Sequence, residues 1–367
     1  MRRRHTGLLA AAGAAALAGA AVLSGCGGTA QAHGSAAQSA ATRYAERFLS
    51  DYVDPAGRVI RRDQGGDTVS EGQGYALLLA FATDERATFA RIWHWTRIHL
   101  QQPDGLFGYH WQGGHLADRE PAADADTQIA WALDLAGEHW SVPGDVTAAR
   151  RVATAVANSE IGYDDEGRPT LAAGPWAMRP GSPVRVEPGY WTFPADVALA
   201  ALTHDHRWDD LPAADATHLA QLADGGRRLP PDWARLGGGT AATDEPAPQT
   251  GSPPASGDDG LRAVVWAACS TTTHALDARW WRLIAPTAHS GALSRNLDGA
   301  PADSDRSPLS LVAAAAAAIS AGQQTAADAL LDDAARVAAA YPTYYGDAWN
   351  ALGHVLLTTD LIPGCSR

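Results

Sequence analysis

The sequence predicts an all-α domain in which about a dozen helices pair into a closed double ring, six inside and six outside. Three observations predict it. Apolar residues recur at three- and four-residue spacing in stretch after stretch from Thr42 to Leu357. Short clusters of Gly, Pro, Asp and Ser separate those stretches. Alternating strand patterns are nearly absent, leaving room only for short strands in the links. No fixed repeat period runs through the chain, which disfavours an open helical solenoid.

The helical stretches run in order as Thr42 to Ser50, Glu71 to Thr83, Arg86 to Leu100, Ala125 to Glu138, Asp145 to Asn158 and Phe193 to His204, followed by Ala213 to Asp224, Gly260 to Thr273, Ala278 to Ala285, Pro308 to Ala321, Gln324 to Ala340 and Tyr345 to Leu357. An inner helix of a ring is apolar on most sides, and the run Leu311 to Ile319 reads that way. The segment Leu236 to Asp258, rich in Gly, Pro, Ser and Thr, breaks the pattern and reads as a mobile surface loop at about 236–258.

The N-terminus reads as an export signal. Arg2, Arg3 and Arg4 precede a weakly apolar run from Gly7 to Leu23, which is short for a membrane span. The run ends in Leu23-Ser24-Gly25-Cys26, resembling a bacterial lipobox with Cys26 as the lipidated residue. The expected organisation is a lipoprotein signal peptide over 1–25, a flexible tether over 26–40 and a single domain over 41–367, anchored to a membrane at the cell envelope and monomeric. Cys269 and Cys365 are the other cysteines. They are candidates for a disulfide in an oxidising compartment, or for one buried and one exposed thiol.

The formal net charge is −13, and every basic residue is Arg. Such a chain repels phosphate backbones, so nucleic acid is excluded as a partner, whereas a neutral polymer is not repelled. The 13 Trp mostly suit a core, but Trp also stacks on sugar rings. The 13 His, including His204, His206, His110 and His115, are too scattered to read as a metal site, and no cofactor is implied. Cys269 on an apolar helix reads as inert rather than as a nucleophile with His274.

Carboxylates stand at the starts of three helices: Glu71, then Asp124 with Asp126, then Asp258 with Asp259. Taken singly, each suits helix capping and the positive end of the helix dipole. Gly72 and Gly74 shift the reading at Glu71. Glycine inside a helix is unfavourable by about 1 kcal/mol relative to alanine, and it is tolerated where the backbone must approach something closely.

The motifs here resemble glycoside hydrolase family eight. The acid-bearing motif is Val69-Ser70-Glu71-Gly72-Gln73-Gly74-Tyr75. Ala122-Ala123-Asp124-Ala125-Asp126 resembles the family signature, and Gly257-Asp258-Asp259-Gly260-Leu261-Arg262 its base-bearing stretch. Pro188-Gly189-Tyr190 and Tyr344-Tyr345 fit its later tyrosines. The resemblance implies an (α/α)6 barrel and inverting, metal-free, endo-acting hydrolysis of a β-1,4-linked glucan. Glu71 would be the general acid and Asp259 the base, with Asp258 the alternative; the spacing to Arg262 favours Asp259. Asp124 would hold a sugar, Tyr190, Tyr344 and Arg262 would support the carboxylates, and Trp111 or Trp176 would stack on sugars. Glu71, to stay protonated, is expected to be partly buried and close to Asp124. The alternatives are the same chemistry on chitosan or xylan, or a non-catalytic glycan-binding lipoprotein with a decayed hydrolase fold, suggested by Ala123 and Asp258.

Overall fold

Alternating helices differ in burial, and that difference sets the architecture. In the computed structural model, which describes residues 26–365 apart from 240, 241 and 249, with side chains from residue 35, the helices are α1 (Cys26–Tyr52), α2 (Ser70–Ala82), α3 (Arg86–His99), α4 (Ala123–His139), α5 (Pro143–Ser159), α6 (Phe193–Thr203), α7 (His206–Leu222), α8 (Asp258–Ala268), α9 (His274–Ile284), α10 (Pro308–Ser320), α11 (Gln324–Ala340) and α12 (Tyr344–Thr358). In α10 every residue from Pro308 to Ala318 is buried, and in α2 nearly every residue is. The odd-numbered helices bury one stripe: in α5 it is Ala149, Val152, Ala153, Val156 and Ala157. Even-numbered helices therefore line the centre and odd-numbered ones cover them. The inner ring closes, since α2 packs on α4, α4 on α6, α6 on α8, α8 on α10, α10 on α12 and α12 back on α2. The run Ala313 to Ala318, fully buried, presents small side chains that let neighbouring helices approach closely.

Eight short strands decorate one end. β1 (Thr68–Val69), β2 (Gly108–Gln112) and β3 (His115–Pro121) form an antiparallel sheet in that order, with Thr68 opposite Trp111 and Val69 opposite His110. The β2–β3 hairpin turns on Gly113 and Gly114, both at positive φ (61° and 83°), as a tight two-residue turn requires. β4 (Ile161–Tyr163) pairs with β5 (Pro169–Leu171); β6 (Val184–Val186), β7 (Ala234–Leu236) and β8 (Thr243–Asp244) form a third sheet.

The structure departs from the sequence expectation in three places. Residues 26–40, expected as a tether, are the first half of α1; alanine, the strongest helix former, recurs through this segment and outweighs its glycines. The signal peptide over 1–25 and the side chain of Cys26 lie outside the described residues. The loop at 236–258 is fastened at its start: it enters β8, and Glu245 accepts from Arg185 Nε at 2.8 Å and Nη2 at 2.9 Å. Helix α7 begins at His206, with Asp205 capping Arg207 N–H at 3.0 Å and Pro212 carried inside the helix, because burial of Trp208 and Leu211, between the cap and the proline, outweighs the proline. Cys269 and Cys365 form a disulfide, which removes Cys269 as a nucleophile.

Candidate active site

Four inner helices begin on the same rim, and their first turns carry the acidic motifs. Glu71 is the second residue of α2, Asp124 the second of α4, Asp259 the second of α8, and Tyr344 the first of α12. Glu71 and Asp259 are not spent as caps: each is bound to one arginine from α8.

That arginine, Arg262, is 1% exposed. Its Nη1 donates to Asp124 Oδ2 at 2.8 Å, to the Tyr75 hydroxyl at 2.9 Å and to Glu71 Oε2 at 3.3 Å. Its Nη2 donates to Asp259 Oδ1. One planar guanidinium thus holds three carboxylates from three helices, with Glu71 and Asp259 on different nitrogens. The fork geometry of arginine suits this task, and a lysine ammonium does not reproduce it. The Tyr190 ring lies under the guanidinium at 5.2 Å, a cation–π contact that covers its remaining face.

The electrostatics separate the carboxylates. Glu71 sits on the floor of a recess of about 510 Å³ shared with Asp258, Asp259, Tyr109, Tyr344 and Tyr345. Burial pushes its carboxyl up to about 7; Arg262 opposes the shift, while Asp124 and Asp259 add to it. Asp124 is fully buried and is also raised by burial, against Arg262. Asp258 is crowded by protein yet open to the recess, and burial with the charge of Asp259 pushes it up to about 6. Asp259 keeps 23% of its side chain exposed. The recess therefore holds one group that retains its proton near neutrality and one carboxylate on an arginine, open to water.

A sequence profile of the glycosyl hydrolases family 8 matches residues 27–359. The chain belongs to that family. It is similar to an endoglucanase of Cellulomonas uda, at 31% identity over 66% of this chain and 67% of the relative, and to a probable endoglucanase of Novacetimonas hansenii, at 31% over 60% and 64%. Those alignments thus span about two thirds of the relatives' lengths. Its fold matches an endo-β-1,4-glucanase of Acetobacter xylinum with a TM-score of 0.71 and 26% identity, covering 86% of this chain and 97% of that one. The double ring is accordingly the (α/α)6 barrel of a glycoside hydrolase.

In this family 8 hydrolase the glycine reading at Gly72 gains a specific cause. A Cβ there would lie 2.5 Å from the Tyr344 hydroxyl, so the close approach is to Tyr344. Tyr344 is 1% exposed, packed on Phe48 and Tyr52; it supports the floor beside Glu71 and offers little surface to a ligand. Trp111 does not join the carboxylates: half-buried on β2, it packs edge-on against Trp95 and His99 of α3, at 5.7 and 4.8 Å. Trp176 stands near the start of α4, its Nε1 donating to Pro121 O at 3.1 Å. Of the histidines, His110 binds Asp67 at 2.7 Å, while His206 and His115 are exposed.

Sequence reasoning missed Tyr75, Tyr109, Asp232 and Glu187. Tyr75 was legible as a residue four after Glu71, hence on the same helix face. Tyr109 was hidden because its hairpin was not recognised. Asp232 accepts the N–H groups of Gly257 and Gly260 at 2.7 and 2.8 Å and so pins the start of α8; burial and Asp259 push its carboxyl up to about 7.

Proposed function

We propose that this family 8 hydrolase cuts β-1,4-glucan chains internally, in a single displacement that inverts the anomeric carbon. The observation that carries the reading is the Arg262 fork, which gathers Glu71, Asp124 and Asp259 while burial leaves Glu71 protonated up to about 7. Glu71 gives its proton to the glycosidic oxygen as the bond to the anomeric carbon breaks. Asp259 takes a proton from a water whose oxygen forms the new bond on the opposite face. Inversion requires the two carboxyls about 6.5–9.5 Å apart, with room for that water between them. Asp124, fully buried and bound by Arg262 and by its neighbour Ala125 N–H at 2.7 Å, fixes the guanidinium between the two catalytic carboxyls.

Asp259 rather than Asp258 is the base in this reading, because Arg262 Nη2 donates to its carboxyl, whereas burial and the charge of Asp259 raise Asp258 towards its protonated form. The intact set of carboxylates argues against a decayed, non-catalytic fold. Glu71→Gln and Asp259→Asn should each abolish sugar release from a soluble β-1,4-glucan while oligosaccharide binding persists, and Asp258→Asn should retain most activity. An active Glu71→Gln protein sinks the assignment. The substrate class rests on the likeness to endoglucanases, and a panel of cello-oligosaccharides, xylan and chitosan tests it.

We also propose export with a lipid anchor at Cys26. The Leu23-Ser24-Gly25-Cys26 quartet supports it, and the Cys269–Cys365 disulfide fits an oxidising compartment. Labelled palmitate should enter the protein in expressing cells, and Cys26→Ala should lose that label.

A further inference from the structure

Glu187 lies outside every motif and is 3% exposed. It is the last extended residue between β6 and the tight turn Pro188–Tyr190, and its backbone carbonyl accepts from Tyr190 N–H at 2.9 Å. The turn is pressed against the first turn of α8: a Cβ on Gly189 would stand 2.1 Å from the Asp259 carbonyl oxygen. This contact sets the buried Glu187 beside the first turn of α8, where the Asp259 carboxyl is the foremost charge acting on it. We propose that Glu187 is a positioning residue for the base, its carboxyl O–H donating to the Asp259 carboxylate. The proposal rests on Asp259 being the base.

Two carboxyls in contact do not both ionise in a site this dry; they share one proton. The surroundings decide which keeps it. Asp259 has the Arg262 cation on Oδ1 and is open to the recess. Glu187 is buried, and the charged or titratable groups facing it are Asp259 and Arg262 from α8, Asp124 from α4 and Tyr190 from its own turn. Burial and then Asp259 raise it well above the ordinary carboxyl range. The proton stays on Glu187, which becomes a donor, and Asp259 gains a second anchor besides Arg262. Two anchors fix the plane of a carboxylate that a single contact leaves free to turn, and an oxygen that must face the attacking water needs that restraint. Glu187 itself is too buried to reach the water and is not the base.

The test uses Glu187→Ala, which removes the donor, and Glu187→Gln, which keeps one. With soluble β-1,4-glucan, the Ala variant should lose roughly ten- to a hundredfold in kcat with little change in KM. The acidic limb of its pH profile should move to higher pH, because Asp259 loses a hydrogen bond that favours its charged form. The Gln variant should recover most of kcat and the original limb. An Ala variant with wild-type kcat and limb overturns the proposal, as does a Gln variant as impaired as Ala. If the Ala variant does not fold, Gln alone decides: retained kcat supports the role and a loss beyond tenfold refutes it. Asp259→Asn measured alongside separates the two claims, since activity there would remove the base assignment itself.

Discussion

Replacing Glu71 by glutamine should stabilise the protein, and only above a defined pH. The native carboxyl titrates at about 7 against an ordinary 4.5, chiefly because of burial. Between those values the folded protein holds a proton that the unfolded chain has released. Stability from this group is therefore fully present below 4.5 and is lost as pH rises through about 7. At about 1.36 kcal/mol for each tenfold change in proton affinity, the loss is about 3 kcal/mol. Glutamine keeps the shape and carries no titration. With an unfolding entropy of about 2.1 cal/mol/K per residue over roughly 340 residues, 3 kcal/mol is about 4 °C in Tm. Thermal unfolding of both proteins from pH 4 to 8.5 should show coincident Tm values at the acid end and Glu71→Gln higher by about that amount at the alkaline end. Activity is lost throughout, the usual exchange of stability for function at a catalytic site. A Tm difference that does not change with pH would refute the reasoning, because it would mean that burial does not hold the Glu71 proton.

Gly72→Ala should lower Tm by the equivalent of about 1–3 kcal/mol through overpacking on the Tyr344 hydroxyl, with kcat falling as Glu71 shifts; adding Tyr344→Phe should restore part of both in thermal and kinetic assays. His218 lies between Asp215 at 3.4 Å and Asp164 at 3.0 Å; burial pushes its pKa down, but the two carboxylates outweigh it and the net shift is upward. Its stabilisation is therefore full below 6.5 and fades as pH rises past the raised value, so the Tm penalty of His218→Gln should be largest near pH 5 and shrink towards pH 9. Reducing the Cys269–Cys365 bond, which closes a loop of 96 residues, should lower Tm by up to the equivalent of about 4–5 kcal/mol. Initial rates at 25 °C should be unaffected, because Cys269 follows the C-terminal end of α8 and Asp259 sits at its start.

The helical ring was legible because its inner members are apolar on nearly every side and its outer members on one stripe, so periodicity marked all twelve. The hairpin at β2 and β3 was not, since both strands are partly exposed and Gly113-Gly114 was the sole turn signal. Glu71, Asp124 and Asp259 could be proposed from their motifs, but their joint dependence on Arg262 is a relation between helices that no local spacing expresses. Glu187 had no signal at all: a carboxylate in a loop reads as solvated until the fold places it against α8. Trp111, half-buried on β2, packs on an outer helix, and a tryptophan near a motif suits such packing as well as it suits a sugar platform.

The central claim is that Glu71 and Asp259 act in one displacement across the Arg262 fork. Proton NMR of the anomeric signals during hydrolysis of a soluble cello-oligosaccharide tests it most directly. The first product should carry the α configuration, with β appearing only as the sugar mutarotates. A first product in the β configuration would contradict it, because retention requires a covalent intermediate on a carboxylate closer to the sugar than the inverting arrangement allows.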